Sequence, residues 1–142
     1  VGDALADFPD DIRIAGYLHD VIEDTGTSAE DLAALGVSPR AIEIISRVSR
    51  NLHPQMADYQ AGIRYVAKDH DATLVKIADN AHNSDPERVA KLAEGNTVPS
   101  PRYREARRAL YTAVPASEIR LILNRVNPSL LPELAAIEAS AV

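Results

Sequence analysis

The chain has no cysteine and no tryptophan, one phenylalanine and one methionine. Without cysteine there are no disulfides, no zinc–thiolate sites and no thiol catalysis. With aromatics at only 4%, the core must be assembled from Ala, Leu, Ile and Val. A core rich in Ala and Leu favours helix. No apolar run nears the roughly 20 residues that span a bilayer, and no signal-peptide pattern opens the chain. Positive charge is also in deficit: 15 Lys and Arg stand against 21 Asp and Glu, for a net charge of −6. Phosphate backbones demand clustered cations, which argues against a general nucleic-acid binder. A small anion held through a metal remains compatible with the charge. The expectation is a cytoplasmic protein with neither a membrane nor a nucleic-acid partner. Oligomerisation is left open.

What is present reads as helix almost throughout. A chain of 142 residues fits one domain over 1–142 and can bury roughly 70% of the surface its unfolded form exposes. Asp10 or Asp11 is placed to cap a helix carrying Ile14, Leu18, Val21 and Ile22 on one face, broken at Thr25-Gly26. Thr27 with Glu30 fits a capping box for a short helix. Ser38-Pro39 is an N-cap followed by Pro at the first helical position. After a loop at 51–56, Asp58 and Asp71 each start a helix, and Asp85-Pro86 opens a short one through Val89 and Leu92. A loop over 94–101 precedes a helix from Pro101. Two more stretches, 119–126 and 130–137, are separated by Asn127-Pro128, and 128–142 reads as a peripheral C-terminal helix. The fold class is all-α, with eight or nine helices and no strand.

One stretch stands out chemically. LHDVIEDT, residues 18–25, packs His19, Asp20, Glu23 and Asp24 into eight positions with no lysine among them. On a helix, i and i+4 lie one above the other, which stacks His19 on Glu23 and Asp20 on Asp24. Crowded carboxylates repel, and one of them takes a proton unless a cation intervenes. Mixed His and Asp ligands suit divalent ions of borderline softness. The plain alternative is a solvated acidic helix end. A second stretch, LVKIADNAHNSD at 74–85, sets Asp79 in an apolar helix face with Asn83 at i+4. A carboxylate there needs a partner. Either the His19–Asp20 patch supplies it, or Lys76 does as an i, i+3 ion pair.

HDVIEDT followed by VKIADNAHN resembles the HD-domain metal-dependent phosphohydrolases, in particular the hydrolase domain of bacterial stringent-response alarmone enzymes and the small alarmone hydrolases. The likeness covers residues 14–89. It implies an HD-domain helical bundle that hydrolyses a nucleotide phosphate ester, most closely as a guanosine 3′,5′-bis(diphosphate) 3′-pyrophosphohydrolase. It also implies one divalent metal, expected to be Mn with Fe, Zn, Co or Mg as alternatives. His19, Asp20 and Asp79 would be metal ligands, and Glu23 and Asp24 the acid–base and water-orienting pair. Asn83, Lys76 and Arg88 would bind the substrate, a small nucleotide. Two other readings stay open: a non-catalytic HD module that senses nucleotides or mediates interactions, and an HD phosphohydrolase for another nucleotide.

The sequence departs from the family pattern in two ways. The family's first ligand is a His well upstream of the His-Asp pair, at a position that falls before Val1. The chain lacks an initiator Met, and the expectation is that this His lies in a preceding N-terminal segment. Family members also often carry positive charges where this chain has Asn80 and Ser84. Arg88 is a candidate replacement for one of them. His53, His70 and His82 read as surface, solvated and packing residues. PRYREARR at 101–108 reads as a solvated arginine face, or as the source of one phosphate-holding side chain, Arg104 or Arg108. Tyr103, Leu110 and Tyr111 read as core or rim residues outside the site.

Overall fold

In the computed structural model, residues 1–53, 58–85 and 101–140 are described. The expected helix from Pro86, residues 54–56 of the 51–56 loop, residues 94–100 of the 94–101 loop, Arg88 and the last two residues of the C-terminal segment lie outside them. Among the described residues there are nine α-helices and no strand. A 3-10 turn, Asp3–Leu5, precedes α1 (Asp10–Leu18), α2 (Val21–Thr25), α3 (Ala29–Ala34) and α4 (Pro39–Val48). After a second 3-10 turn, Arg50–Leu52, come α5 (Tyr59–Val66) and α6 (His70–Asn83). Then follow α7 (Arg102–Tyr111), α8 (Ala116–Val126), a 3-10 turn at Pro128–Leu130 and α9 (Leu131–Ser140).

The helix signals operate largely as chemistry dictates, with local corrections. Ser38 Oγ accepts from the Ala41 N–H, and Asp58 Oδ2 from the Ala61 N–H, each satisfying an orphan donor of a first turn. The capping box of α3 is made by Ser28 and Asp31, one residue beyond the expected Thr27 and Glu30. Helix α6 starts at His70 because Asp69, not Asp71, accepts from the Ala72 N–H. Asp10 begins α1 without any side-chain cap. Gly26 and Gly36 sit at φ 71° and 90° after α2 and α3, the left-handed geometry that ends a helix cheaply with glycine.

Helix α6 is the axis of the bundle. It packs against α1, α4, α7 and α8, and Leu74, Val75, Ile77, Ala78 and Ala81 are all buried. A helix enclosed on several sides must be apolar nearly all round, so Asp79 on it is an anomaly with a cost. The first 3-10 turn drives Leu5, fully buried, under α1 and α8. The C-terminal helix is docked: Leu134 is buried, and Glu133 pairs with Arg107 of α7 at 2.7 Å. No helix among the described residues is long and apolar enough to cross a membrane.

Candidate functional site

The polar residues of LHDVIEDT do not lie on one helix. The sequence predicts a continuous helix through them, but α1 ends at Leu18, and Asp20 is the N-cap of α2 with φ −99° and ψ −1°. Asp is a poor helix-interior residue and a good helix-start residue. The break therefore falls where the sequence is least helical. It also changes the pairing, because His19 meets Asp20 and Asp79 rather than stacking on Glu23. Nδ1 of His19 donates to the Gly16 carbonyl at 2.8 Å. Nε2 lies 3.0 Å from Asp20 Oδ2 and 3.3 Å from Asp79 Oδ1. It is buried, yet it makes no hydrogen bond of acceptable geometry.

That arrangement sets the chemistry. With its Nδ1–H spent on Gly16, a neutral ring turns the Nε2 lone pair toward two carboxylate oxygens. Three electron-rich atoms then converge, and either a proton on Nε2 or a metal cation must stand among them. Burial disfavours the charged ring, but Asp79 outweighs it, and the His19 pKa is raised. Burial pushes the Asp79 carboxyl up, but His19 and Lys76 outweigh that and hold it at about 2. Asp20 is pushed up, first by burial; His19 pulls against this, and Asp79, Asp24 and Glu23 reinforce it.

Asp79 has further partners on its own helix. Lys76 Nζ is 3.3 Å from Oδ2, and Asn83 Nδ2 donates to Oδ1 at 3.1 Å. Both readings of Asp79 are thus realised at once: it faces the His-Asp patch and it pairs with Lys76. Among the described residues, no three His, Asp or Glu side chains are closed into a ready-made metal cluster. The donor types do fit a borderline divalent ion, on the ground that the Nε2 lone pair is orphaned and two carboxylates adjoin it.

These groups open on a cavity of about 180 Å³. His19, Asp20, Glu23, Lys76, Asp79 and Asn83 all line it. Glu23 Oε1 accepts the backbone N–H of Arg50, tying α2 to the turn after α4. Asp24 is exposed and does not line the cavity, although its N–H donates to the Asp20 carbonyl at 2.9 Å.

The cavity also contains residues that the motifs do not flag. Arg50, Tyr59, Arg102 and Tyr103 form part of its wall, so Tyr103 belongs to the site and not outside it. Arg104 and Arg108 do not reach it. The arginine that turns inward is Arg107, which is buried and donates to Asn80 Oδ1 at 3.3 Å and Ser84 Oγ at 3.1 Å. Asn80 in turn donates to the Tyr103 carbonyl at 3.2 Å. The two positions lacking the expected charge are therefore tied together by a guanidinium from another helix. His53 packs at a tilt against Tyr65 and bonds the Ser46 carbonyl at 2.8 Å. His70 is not merely solvated: it bridges Asp71 at 2.8 Å and Glu118 at 2.7 Å.

Compared with known proteins, the chain is 36% identical over 76 residues to a probable guanosine-3′,5′-bis(diphosphate) 3′-pyrophosphohydrolase of a Synechocystis species. The match takes in 49% of this chain and 10% of that relative. No protein-family model matches the chain. No solved structure matches it. An all-α bundle and this partial likeness support a relation to that hydrolase over about half the chain.

Proposed function

We propose that the chain is an HD-type, metal-dependent phosphohydrolase of a nucleotide, with guanosine 3′,5′-bis(diphosphate) 3′-pyrophosphohydrolysis as its reaction. The observation that carries this reading is the buried, orphaned Nε2 of His19 facing Asp20 and Asp79. His19, Asp20 and Asp79 would hold one divalent ion, with Mn the expected species. When bound, such an ion lowers the pKa of a coordinated water and offsets charge on phosphoryl oxygens.

The chain's own groups do the remainder. Gly16 fixes the His19 tautomer through Nδ1, and Lys76 and Asn83 fix the Asp79 carboxylate. Glu23, held at the cavity edge by the Arg50 N–H, is the group placed to accept the proton of an attacking water. Asp24 would act from outside, orienting water and adding negative potential at Asp20. Asn83 and Lys76 would touch the substrate from α6.

A second reading is a non-catalytic nucleotide-sensing module. It draws support from Lys76, whose ammonium already neutralises Asp79. One experiment separates the two. Chelator-stripped protein is titrated with MnCl2, and pyrophosphate release from guanosine 3′,5′-bis(diphosphate) is followed alongside bound metal. The hydrolase reading expects about one Mn per chain and turnover that tracks occupancy. Neither metal uptake nor release of any phosphate from a panel of nucleotides would leave the sensing module as the answer.

A further inference from the structure

Behind the cavity wall lies a second polar cluster. Arg107 of α7 is buried and does not line the cavity. Its Nη1 donates to Asn80 Oδ1 at 3.3 Å and to Ser84 Oγ at 3.1 Å, and its Nε donates to Glu133 Oε2 at 2.7 Å. Asn80 is buried too, next to Asp79 on α6. A buried primary amide can sit either way round, because its two ends have one shape and opposite chemistry. Its neighbours decide which end goes where.

A guanidinium has donors and no acceptor, so only Oδ1 of Asn80 can face it. The Nδ2 group is thereby turned the other way, where it donates to the Tyr103 carbonyl at 3.2 Å. That carbonyl only accepts. With the amide reversed, N–H would face N–H at Arg107 and oxygen would face oxygen at Tyr103. Asn80 and Tyr103 both line the cavity. Arg107 thus sets, from behind, the direction of one wall side chain and the anchorage of the first turn of α7. Its own aim comes from α9 through Glu133. The chain leading into α9 grips the same stretch of α6: Asn127, buried, donates from Nδ2 to the Ala81 carbonyl at 3.0 Å.

We propose that Arg107 is a positioning residue of the cavity: it fixes the amide of Asn80 and, through it, the Tyr103 end of α7, and Glu133 of α9 keeps it aimed. The C-terminal helix, none of whose residues line the cavity, thereby sets how firmly the wall meets a nucleotide. The effect of this relay on turnover rests on the hydrolase reading, but its geometry stands apart from the His19–Asp79 floor. Arg107 acts on the wall and not on the reacting atoms, so its loss is felt in binding and not in the chemical step.

The test uses the whole chain and two readouts. Steady-state kinetics on guanosine 3′,5′-bis(diphosphate) are measured with Mn present. The solvent-exchange rate of the Asn80 side-chain amide protons is followed by NMR on isotope-labelled protein, without metal or nucleotide, the signals being assigned by their absence in Asn80→Ala. Glu133→Ala frees the guanidinium and is expected to raise KM about fivefold with kcat within about twofold, and to speed the amide exchange about tenfold. Glu133→Gln keeps an acceptor for the Nε–H and is expected to restore both values. Arg107→Lys keeps the charge but cannot span Asn80 and Glu133 in one plane, and is expected to match Glu133→Ala. Glu133 is the more exposed member of its pair, so its variants keep the test sound even if Arg107→Lys unfolds.

An unchanged KM in Glu133→Ala overturns the relay while leaving the hydrolase intact; a fall in apparent kcat alone would report only a smaller folded fraction. A raised KM with unchanged Asn80 exchange also overturns it, because the route would then bypass that amide. So does a Glu133→Gln variant as impaired as Glu133→Ala, because the charge and not the direction of the bond would then be at work. Faster Asn80 exchange in Glu133→Ala, in a protein that hydrolyses no nucleotide, keeps the relay and rejects the hydrolase reading.

Discussion

Two acid-rich clusters in this molecule differ in one respect. On one flank, Arg40 stands among Asp69, Asp71 and Glu43 at 3.0, 3.0 and 3.1 Å. At the cavity, His19 stands between Asp20 and Asp79 at 3.0 and 3.3 Å. Each sets several carboxylates around one basic side chain. A guanidinium brings five N–H donors in a planar fork, enough for all three acids. The imidazole has already given Nδ1 to Gly16 and has a single nitrogen left. The first cluster is a closed account of donors and acceptors. The second leaves the Nε2 of its imidazole without a hydrogen bond, although Lys76 also reaches Asp79. Matched clusters hold a fold together, whereas mismatched ones persist when something else completes them.

The largest expected effect falls on the mismatched side. Asp79→Asn should cost about 100-fold or more in turnover, read by pyrophosphate release at saturating Mn. Its fold should survive, because Asn keeps the size and one acceptor for Asn83. A variant that unfolds instead would place Asp79 with the structural cluster. Arg107→Met comes next. It leaves Glu133 and Asn80 without their buried partner, and loss of one partner of such a pair costs about 3 kcal/mol, read from urea midpoints.

Arg40→Met tests the matched side directly. The arginine side chain is 38% exposed, so solvent screening reduces the loss to about 1 kcal/mol. Turnover should not change, and a fall in kcat would break the contrast.

The smallest effect is that of His70, whose pKa is raised by its bond to Glu118, then by that to Asp71, with burial opposing. The raised value means that the pairing adds its full stability below the ordinary value of 6.5 and loses it as pH climbs through the raised one. A melting-temperature gap between wild type and His70→Gln, fully present below the ordinary value and shrinking as pH rises above it, is expected. A gap that widens with pH would reverse the assignment.

The helical character was legible because it is written locally. Ser38-Pro39, Asp58 and Gly26 each do their work within a few residues. The errors are also local: Asp69 and Asp71 both suit a helix start, and nothing nearby says which one caps α6. The break at His19–Asp20 is harder to read, with no glycine or proline to mark it. Asp79 was legible as an anomaly, a charge on an apolar face. The Tyr59, Arg50, Arg102 and Tyr103 wall was not. It exists only once the Arg50 turn and α5 meet the distant α7 at one cavity, and no periodicity or spacing encodes such a meeting.

Gly16 has a reach beyond its size. A Cβ there would stand 2.6 Å from the Leu5 Cδ1 and 3.1 Å from the Gly2 Cα, while the carbonyl of the same residue anchors His19. The His19 imidazole therefore hangs from a bearing whose clearance is less than one methyl group. Any change that thickens this contact, in residue 16 or in the turn beneath it, would be felt at the ring as a shift in aim before it was felt as a loss of fold.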